Sequence, residues 1–453
     1  MNRRKVTRQF PNGFLWGAAT ASYQVEGAVE ADGRGVSIWD TFAHTPGKIE
    51  DGSTGDVAVD HYHRYKDDVQ LMRALGLKAY RFSISWPRLF PEGTGKPNPK
   101  GLDFYNRLVD ELLANGIEPF ATLYHWDLPQ ALQDRGGWES RGTAEAFADY
   151  AGYVAKRLSD RVKHFLTINE LWTFVEMGHR TGVMAPGLTL PPARVNQIRH
   201  HAVLAHGLAV QAIRGSARRG IKVGPAENMG IGVPIIETPE HIKAAEIATR
   251  ELNAGYLTVI LEGRYTEAFL AAAGADAPRF TAEDLKIIAS PLDFVGINIY
   301  LPSHYVRASD PPPGYEFVPF NASHPRMASP WHRIGPEALY WGPRHVQKLW
   351  KVKTIYITEN GCAASDLPAE DGSVSDSDRI MFLRSYLTQL QRATSDGVPV
   401  RGYFLWSLMD NFEWRHGYAI RFGLVYVDYP TQKRTPKLSA SYYREVIAEN
   451  RVV

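Results

Sequence analysis

Two glutamates stand where short apolar runs end. The segment His-Phe-Leu-Thr-Ile-Asn-Glu closes at Glu170, and Thr-Ile-Tyr-Ile-Thr-Glu-Asn-Gly carries Glu359 two residues before Gly361, which permits a sharp exit. Both runs have the length and β-branched content of strands, and a carboxylate at such a place is costly to bury without a partner. Three kinds of chemistry suit the pair. The carboxyls could belong to a structural ion-pair network, or ligate a metal. They could also cleave a glycosidic bond, one protonating the leaving oxygen while the other attacks the anomeric carbon or activates water.

Other reactive-looking motifs carry less. His61-Tyr62-His63 has the form of a metal pair, but it falls in a helical pattern, where residues two apart diverge by about 200°. His200, His201 and His206 lack the i, i+4 spacing of a zinc helix, and no His-Glu-x-x-His run occurs. Asp32-Gly33-Arg34-Gly35 falls short of a dinucleotide-binding glycine pattern. Cys362 follows the second glutamate closely and reads as a small packed residue.

The elements that must position the two glutamates repeat along the chain. Strand-like runs occupy Phe14–Thr20, Ala79–Ser85, Glu118–Tyr124, His164–Glu170, Lys222–Asn228, Asp293–Tyr300, Thr354–Asn360 and Val400–Leu408. Helical stripes lie between them. Tyr62, Tyr65, Val69 and Met72 precede a stop at Gly76; Phe147, Tyr150, Val154 and Leu158 follow Thr143, read as the N-cap; Ile380, Leu383, Leu387 and Leu390 follow Asp376 and Ser377. Eight strand–helix alternations predict an α/β fold, a single (β/α)8 TIM barrel spanning 1–453. In that architecture a polar residue at the carboxyl end of a strand faces the reaction pocket. The Pro-rich stretch Ser309–Arg326 then reads as an extended loop on that face.

Composition narrows the partners. With 51 basic against 49 acidic residues, no large basic field exists to hold nucleic acid or an anionic membrane. Asn2 to Gln9 is basic, but no apolar run of signal-peptide length follows. No run of about 18 apolar residues occurs either, and one cysteine cannot form an internal disulfide. A cytoplasmic location is the expectation. The 11 Trp, 22 Tyr and 19 Phe supply flat faces and polar edges suited to sugar rings, or to a large core.

Six blocks carry a family resemblance. Ser22-Tyr23-Gln24-Val25-Glu26-Gly27-Ala28, Arg81-Phe82-Ser83-Ile84-Ser85-Trp86 and His125-Trp126-Asp127 resemble blocks of glycoside hydrolase family 1. So do Thr167-Ile168-Asn169-Glu170, Ile357-Thr358-Glu359-Asn360-Gly361 and the run Trp406 to Trp414, in the family's order. The resemblance implies a retaining β-glycosidase acting on small β-glucosides and short β-linked oligosaccharides. It makes Glu170 the general acid/base and Glu359 the nucleophile, with carboxyls about 5–5.5 Å apart. It also implies that Arg81, Asn298 and Tyr300 support the nucleophile, that Asn169 serves the sugar 2-hydroxyl, and that Gln24, His125, Trp406 and Glu413 bind hydroxyls. Trp414 becomes an aromatic wall, Phe422 closes the far end, and Trp331 and Trp172 flank the leaving group. The implied reaction needs no cofactor and no metal.

Two positions depart from the family's usual pattern: Leu171 replaces a proline after the acid/base, and Ile299 precedes Tyr300 where a second tyrosine is common. Strand alternation points Tyr300 into the pocket and Ile299 away. Glu227 ends the fifth run without a matching family role and reads as a group at the rim or behind the site. Glu413 disfavours a 6-phospho-β-glycosidase, and retention of both glutamates disfavours a barrel that only binds sugar. The natural aglycone and the oligomeric state are not encoded legibly.

Overall fold

The computed structural model describes residues 9–453; the basic residues 2–8 lie outside the described residues. Eight parallel strands close into a barrel: β1 (Leu15–Ala19), β2 (Ala79–Ser83), β3 (Glu118–Tyr124), β4 (His164–Asn169), β5 (Lys222–Glu227), β6 (Val295–Asn298), β7 (Ile355–Asn360) and β8 (Val400–Trp406). Their order around the barrel is their order in the chain, and β1 pairs with β8, from Leu15 opposite Gly402 to Ala19 opposite Trp406. Parallel neighbours need long crossovers. These carry helices α1 (His61–Ala74), α2 (Pro99–Ala114), α3 (Arg141–Leu158), α4 (Pro192–Ser216), α5 (Ala282–Ile288), α6 (Ala338–Trp350) and α7 (Ser377–Ser395), and α8 (Leu438–Glu449) follows β8. No described helix is long and apolar enough to cross a membrane.

Of the three stripes legible in the sequence, two are buried throughout, and on the third Leu383, Leu387 and Leu390 are buried while Ile380 is half-buried. Tyr62, Tyr65, Val69 and Met72 are the apolar buried residues of α1, and Gly76 follows with a φ of 78°. Phe147, Tyr150, Val154 and Leu158 are buried on α3. The N-cap of α3 is Ser140, however, and not Thr143. Ser140 has extended backbone angles and its side chain accepts the Gly142 N–H, whereas Thr143 lies inside the first turn and donates to the Gly137 carbonyl.

Inside the barrel, rings from neighbouring and from non-neighbouring strands meet. Phe120 of β3 lies 4.8 Å from Phe404 of β8, 4.1 Å from His164 of β4 and 5.4 Å from Tyr356 of β7, centroid to centroid. Arg81 lies in the middle of β2, in register with Phe120, and Asn169, Asn298 and Glu359 lie at or next to the carboxyl ends of β4, β6 and β7. Strand pairing is also irregular there, between Leu166 and Asn169 of β4 and between Ile357 and Glu359 of β7. Such irregularities re-aim side chains at the ends of strands.

The stretch read as a long loop after β6 is partly ordered. His304–Ala308 and Tyr315–Val318 pair antiparallel, and the first of them pairs parallel with Gly232–Pro234. The turn between them closes through the Gly314 N–H on the Pro311 carbonyl, with Gly314 at a φ of 87°. Gly361 is required for a different reason from the one its position suggested. Its φ is not left-handed; a Cβ there would lie 1.7 Å from the Trp406 carbonyl oxygen.

Candidate active site

Glu170 is the first residue beyond β4 and has a φ of 49°. Left-handed backbone costs a non-glycine residue about 1–3 kcal/mol and persists only where its surroundings enforce it. Here the Glu170 N–H is held by the Ala226 carbonyl at 2.7 Å. One carboxyl oxygen accepts from Asn298 Nδ2 at 2.9 Å and the other from Thr173 Oγ1 at 2.8 Å. Glu359 has different partners. Arg81 Nη1 lies 2.6 Å from Oε1, and the Tyr300 hydroxyl donates to Oε2 at 2.8 Å. Arg81 reaches across from β2 and is fully buried; it also donates to Asn169 Oδ1, Thr122 Oγ1 and the Thr358 carbonyl. Asn298 joins the two halves, because its Nδ2 also donates to Asn169 Oδ1 and its Oδ1 accepts from Thr358 Oγ1.

The electrostatics separate the two carboxyls. Burial, with the Glu359 charge adding to it, pushes Glu170 up to about 7, opposed by its bonds from Asn298 and Thr173. Burial also raises Glu359, but the Arg81 guanidinium and the Tyr300 hydroxyl act against it. Of the pair only Glu359 touches a cation, so it ionises first. Tyr300 remains a donor, since burial and the Glu359 charge push its phenol well above its ordinary value.

A cavity of about 670 Å³ opens over this pair. Its walls include His125, Trp406, Trp414, Glu413, Tyr300, Phe422, Trp331, Trp172 and Asn298. Arg81, Asn169 and Gln24 are buried beside it, each hydrogen-bonded to a residue of the wall. Gln24 Nε2 donates to the Phe412 carbonyl at 2.9 Å and to Glu413 Oε2 at 3.3 Å. Burial pushes Glu413 up to about 8, with the charge of Glu359 adding to it. Burial holds His125 well below its ordinary value, so its ring is neutral; Nε2 accepts from Asn169 Nδ2 at 3.0 Å, and Nδ1 has no protein partner. Trp172 and Trp331 are each 40% exposed, leaving ring surface for a ligand at the mouth. Ile299 reaches Gly342 of α6 with the tip of its side chain, while the residue also borders the cavity beside Tyr300.

Several residues of the site escaped the sequence. Thr173 and Thr358 bond directly to Glu170 and Asn298. Met177 comes from Thr173–Arg180, a helix of wide i→i+5 hydrogen bonds directly after Glu170. Met184 and Met229 join it along the wall. Glu227 is not at the rim: it is 1% exposed and bonds the backbone beyond Glu170. Elsewhere, His61 and His63 engage separate carboxylates, Asp68 and Asp60. Among the described residues no three His, Cys, Asp or Glu side chains converge as a metal would require. Cys362 is fully buried, and burial pushes its thiol up to about 12.

A closed (β/α)8 barrel with two buried carboxyls at the ends of β4 and β7 has the form of a glycoside hydrolase. The chain belongs to glycosyl hydrolase family 1, whose model matches residues 6–452. It is 47% identical over 446 residues to a 1,4-beta-D-glucan glucohydrolase of Thermotoga neapolitana, covering 98% of this chain and 99% of that protein. It is 46% identical over 445 residues to beta-glucosidase A of Thermotoga maritima, covering 98% of each. The structure of the family 1 b-glucosidase from Thermotoga maritima superposes with a TM-score of 0.90 at 46% identity, covering 98% of this chain and 100% of that one.

Proposed function

We propose that this enzyme hydrolyses terminal β-D-glucosyl residues with retention, Glu359 acting as nucleophile and Glu170 as acid/base. The asymmetry between the two buried carboxyls carries the reading. Glu359, ion-paired to Arg81, is the one poised to attack as an anion. Glu170, pushed up to about 7 without a cation in contact, is the one poised to hold a proton. Attack of Glu359 on the anomeric carbon breaks the glycosidic bond as Glu170 protonates the departing oxygen. Glycosylation then removes the Glu359 charge, so Glu170 loses part of what kept its proton on. It accepts a proton from water, which displaces Glu359 and restores the original configuration.

The remaining roles extend this reading. Arg81, Asn298 and Tyr300 hold Glu359 oriented; Asn169 serves the 2-hydroxyl; Gln24, His125, Trp406 and Glu413 bind the other hydroxyls. Trp414 and Phe422 wall the glucosyl pocket, while Trp172 and Trp331 flank the aglycone. Residues 1–453 act as one catalytic unit on small β-glucosides and short β-linked oligosaccharides, with no cofactor. β-Fucosyl and β-galactosyl substrates differ at single hydroxyls and are expected to turn over too. A cytoplasmic location accords with the single, buried cysteine. Proton NMR of an aryl β-glucoside during hydrolysis tests the stereochemistry: β-glucose should form first and mutarotate later, whereas α-glucose first would overturn the double displacement.

The sugar should carry a free 6-hydroxyl. The basic residues beside Glu413 are occupied: Arg421 Nη1 bonds Asp410 at 2.6 Å and its guanidinium lies 4.1 Å from the Tyr426 ring centroid, while Arg415 and His416 both engage Glu50. A phosphate dianion would face a buried carboxyl without a matching cation. We expect kcat/KM for aryl β-glucoside to exceed that for its 6-phosphate by at least about 10², roughly 2.7 kcal/mol. Comparable values would overturn the reading of Glu413.

A further inference from the structure

One buried carboxyl has no part in the reaction above. Glu227, the last residue of β5, accepts the Leu171 N–H on Oε2 at 2.7 Å and the Trp172 N–H on Oε1 at 3.2 Å. Its neighbour Ala226 accepts the Glu170 N–H. The end of β5 therefore grips three successive amides, starting at the residue with left-handed backbone. Amides at the start of a helical segment have no partner within it, and these are buried against β5. The clamp requires an N–H at position 171, which proline could not supply. The next residue, Asn228, continues the contact: its Nδ2 donates to Thr173 Oγ1 at 2.7 Å, and that hydroxyl donates to Glu170 Oε2.

We propose that Glu227 is a positioning residue for Glu170, its carboxyl oxygens fixing amides 171 and 172 so that the strained turn aims the Glu170 carboxyl into the cavity and holds the Trp172 ring at the mouth. Both oxygens accept backbone N–H groups, which commits the carboxyl to the turn after Glu170. The inference rests on the reading of Glu170 as acid/base, and its effect must therefore appear where that acid is needed. Cleavage of 2,4-dinitrophenyl β-glucoside scarcely needs protonation of the leaving group, whereas cleavage of methyl β-glucoside depends on it.

The test compares kcat/KM for these two substrates in wild type, Glu227→Leu, Glu227→Gln, Leu171→Pro/Glu227→Leu and Glu170→Gln, with thermal unfolding of each. Glu227→Leu should lose about 10²-fold on the methyl glucoside, as expected when an acting group is misplaced by about 1 Å, and under about threefold on the dinitrophenyl glucoside. Glu227→Gln keeps one carbonyl acceptor and should show a smaller loss, about tenfold, still confined to the methyl glucoside. The double variant removes one orphaned N–H and should lose less than Glu227→Leu. Equal losses on both substrates, or no loss on either, would overturn the positioning role. Should Glu227→Leu fail to fold, Glu227→Gln decides by the same comparison: a loss confined to the methyl glucoside supports the role, and an equal loss or none overturns it. If Glu170→Gln itself lacks leaving-group dependence, the acid/base reading falls; if Glu170→Gln shows it and the Glu227 variants do not, only the positioning role falls.

Discussion

Glu359→Ala is expected to lower kcat on aryl β-glucosides by roughly 10⁴-fold or more, a barrier increase of about 5 kcal/mol. On the proposed mechanism the substitution removes the group that forms the glycosyl-enzyme, and it leaves Arg81 without the anion it contacts at 2.6 Å. Arg81 keeps its bonds to Asn169, Thr122 and the Thr358 carbonyl, so the fold should survive and thermal unfolding should stay cooperative. Added azide should then restore cleavage of an activated aryl glucoside by occupying the vacated space. Because the small anion attacks from the Glu359 side, the product should be α-glucosyl azide. Recovery of the β-azide would place the attacking group elsewhere.

Glu170→Gln should show a loss that scales with leaving-group basicity. For dinitrophenolate, kcat/KM should fall little. For alkyl leaving groups it should fall by about the 10²–10⁴-fold that general acid catalysis supplies. Glu170 is pushed up to about 7, so in wild type it loses its proton, and kcat/KM falls, as pH rises through about 7. The glutamine variant has no proton to lose there, and its basic limb should flatten. A limb unchanged in the variant would assign that ionisation to another group. Glu413, pushed up to about 8, is the first to examine.

The barrel was legible because each strand announces itself locally. Glu118–Tyr124 is found with both ends as read, since a short run carrying Phe120, Ala121, Leu123 and Tyr124 after Asn115-Gly116 depends little on tertiary context. The sixth strand was read as Asp293–Tyr300 but keeps regular pairing only over Val295–Asn298. Beyond Asn298 the chain leaves the ladder, and the Ile299 N–H is taken by the Glu359 carbonyl. The pairing of Gly232–Pro234 with His304–Ala308 had no local signal, because the two strands lie some 70 residues apart in the chain.

Glu170 and Glu359 stood out because their type and strand-end position coincide, but only the family resemblance gave them separate roles. The Glu227 clamp was hidden for a complementary reason. Its partners are backbone amides, which every residue but proline carries, and only the juxtaposition of β4 and β5 selects Leu171 and Trp172. Thr173 was equally silent. Its hydroxyl reaches Glu170 because the chain turns into a helix at once, a feature set by three-dimensional packing rather than by spacing alone.

The central claim is a covalent intermediate on Glu359, and the direct measurement is to trap it. A 2-deoxy-2-fluoro β-glucoside with a dinitrophenolate leaving group slows both steps by destabilising the positively charged transition state, while the good leaving group lets the first step proceed. Proteolysis and mass spectrometry of the inactivated enzyme should then find one fluoroglucosyl group on the peptide containing Glu359. A label on Glu170, or steady turnover without a label on the protein, would contradict the assignment.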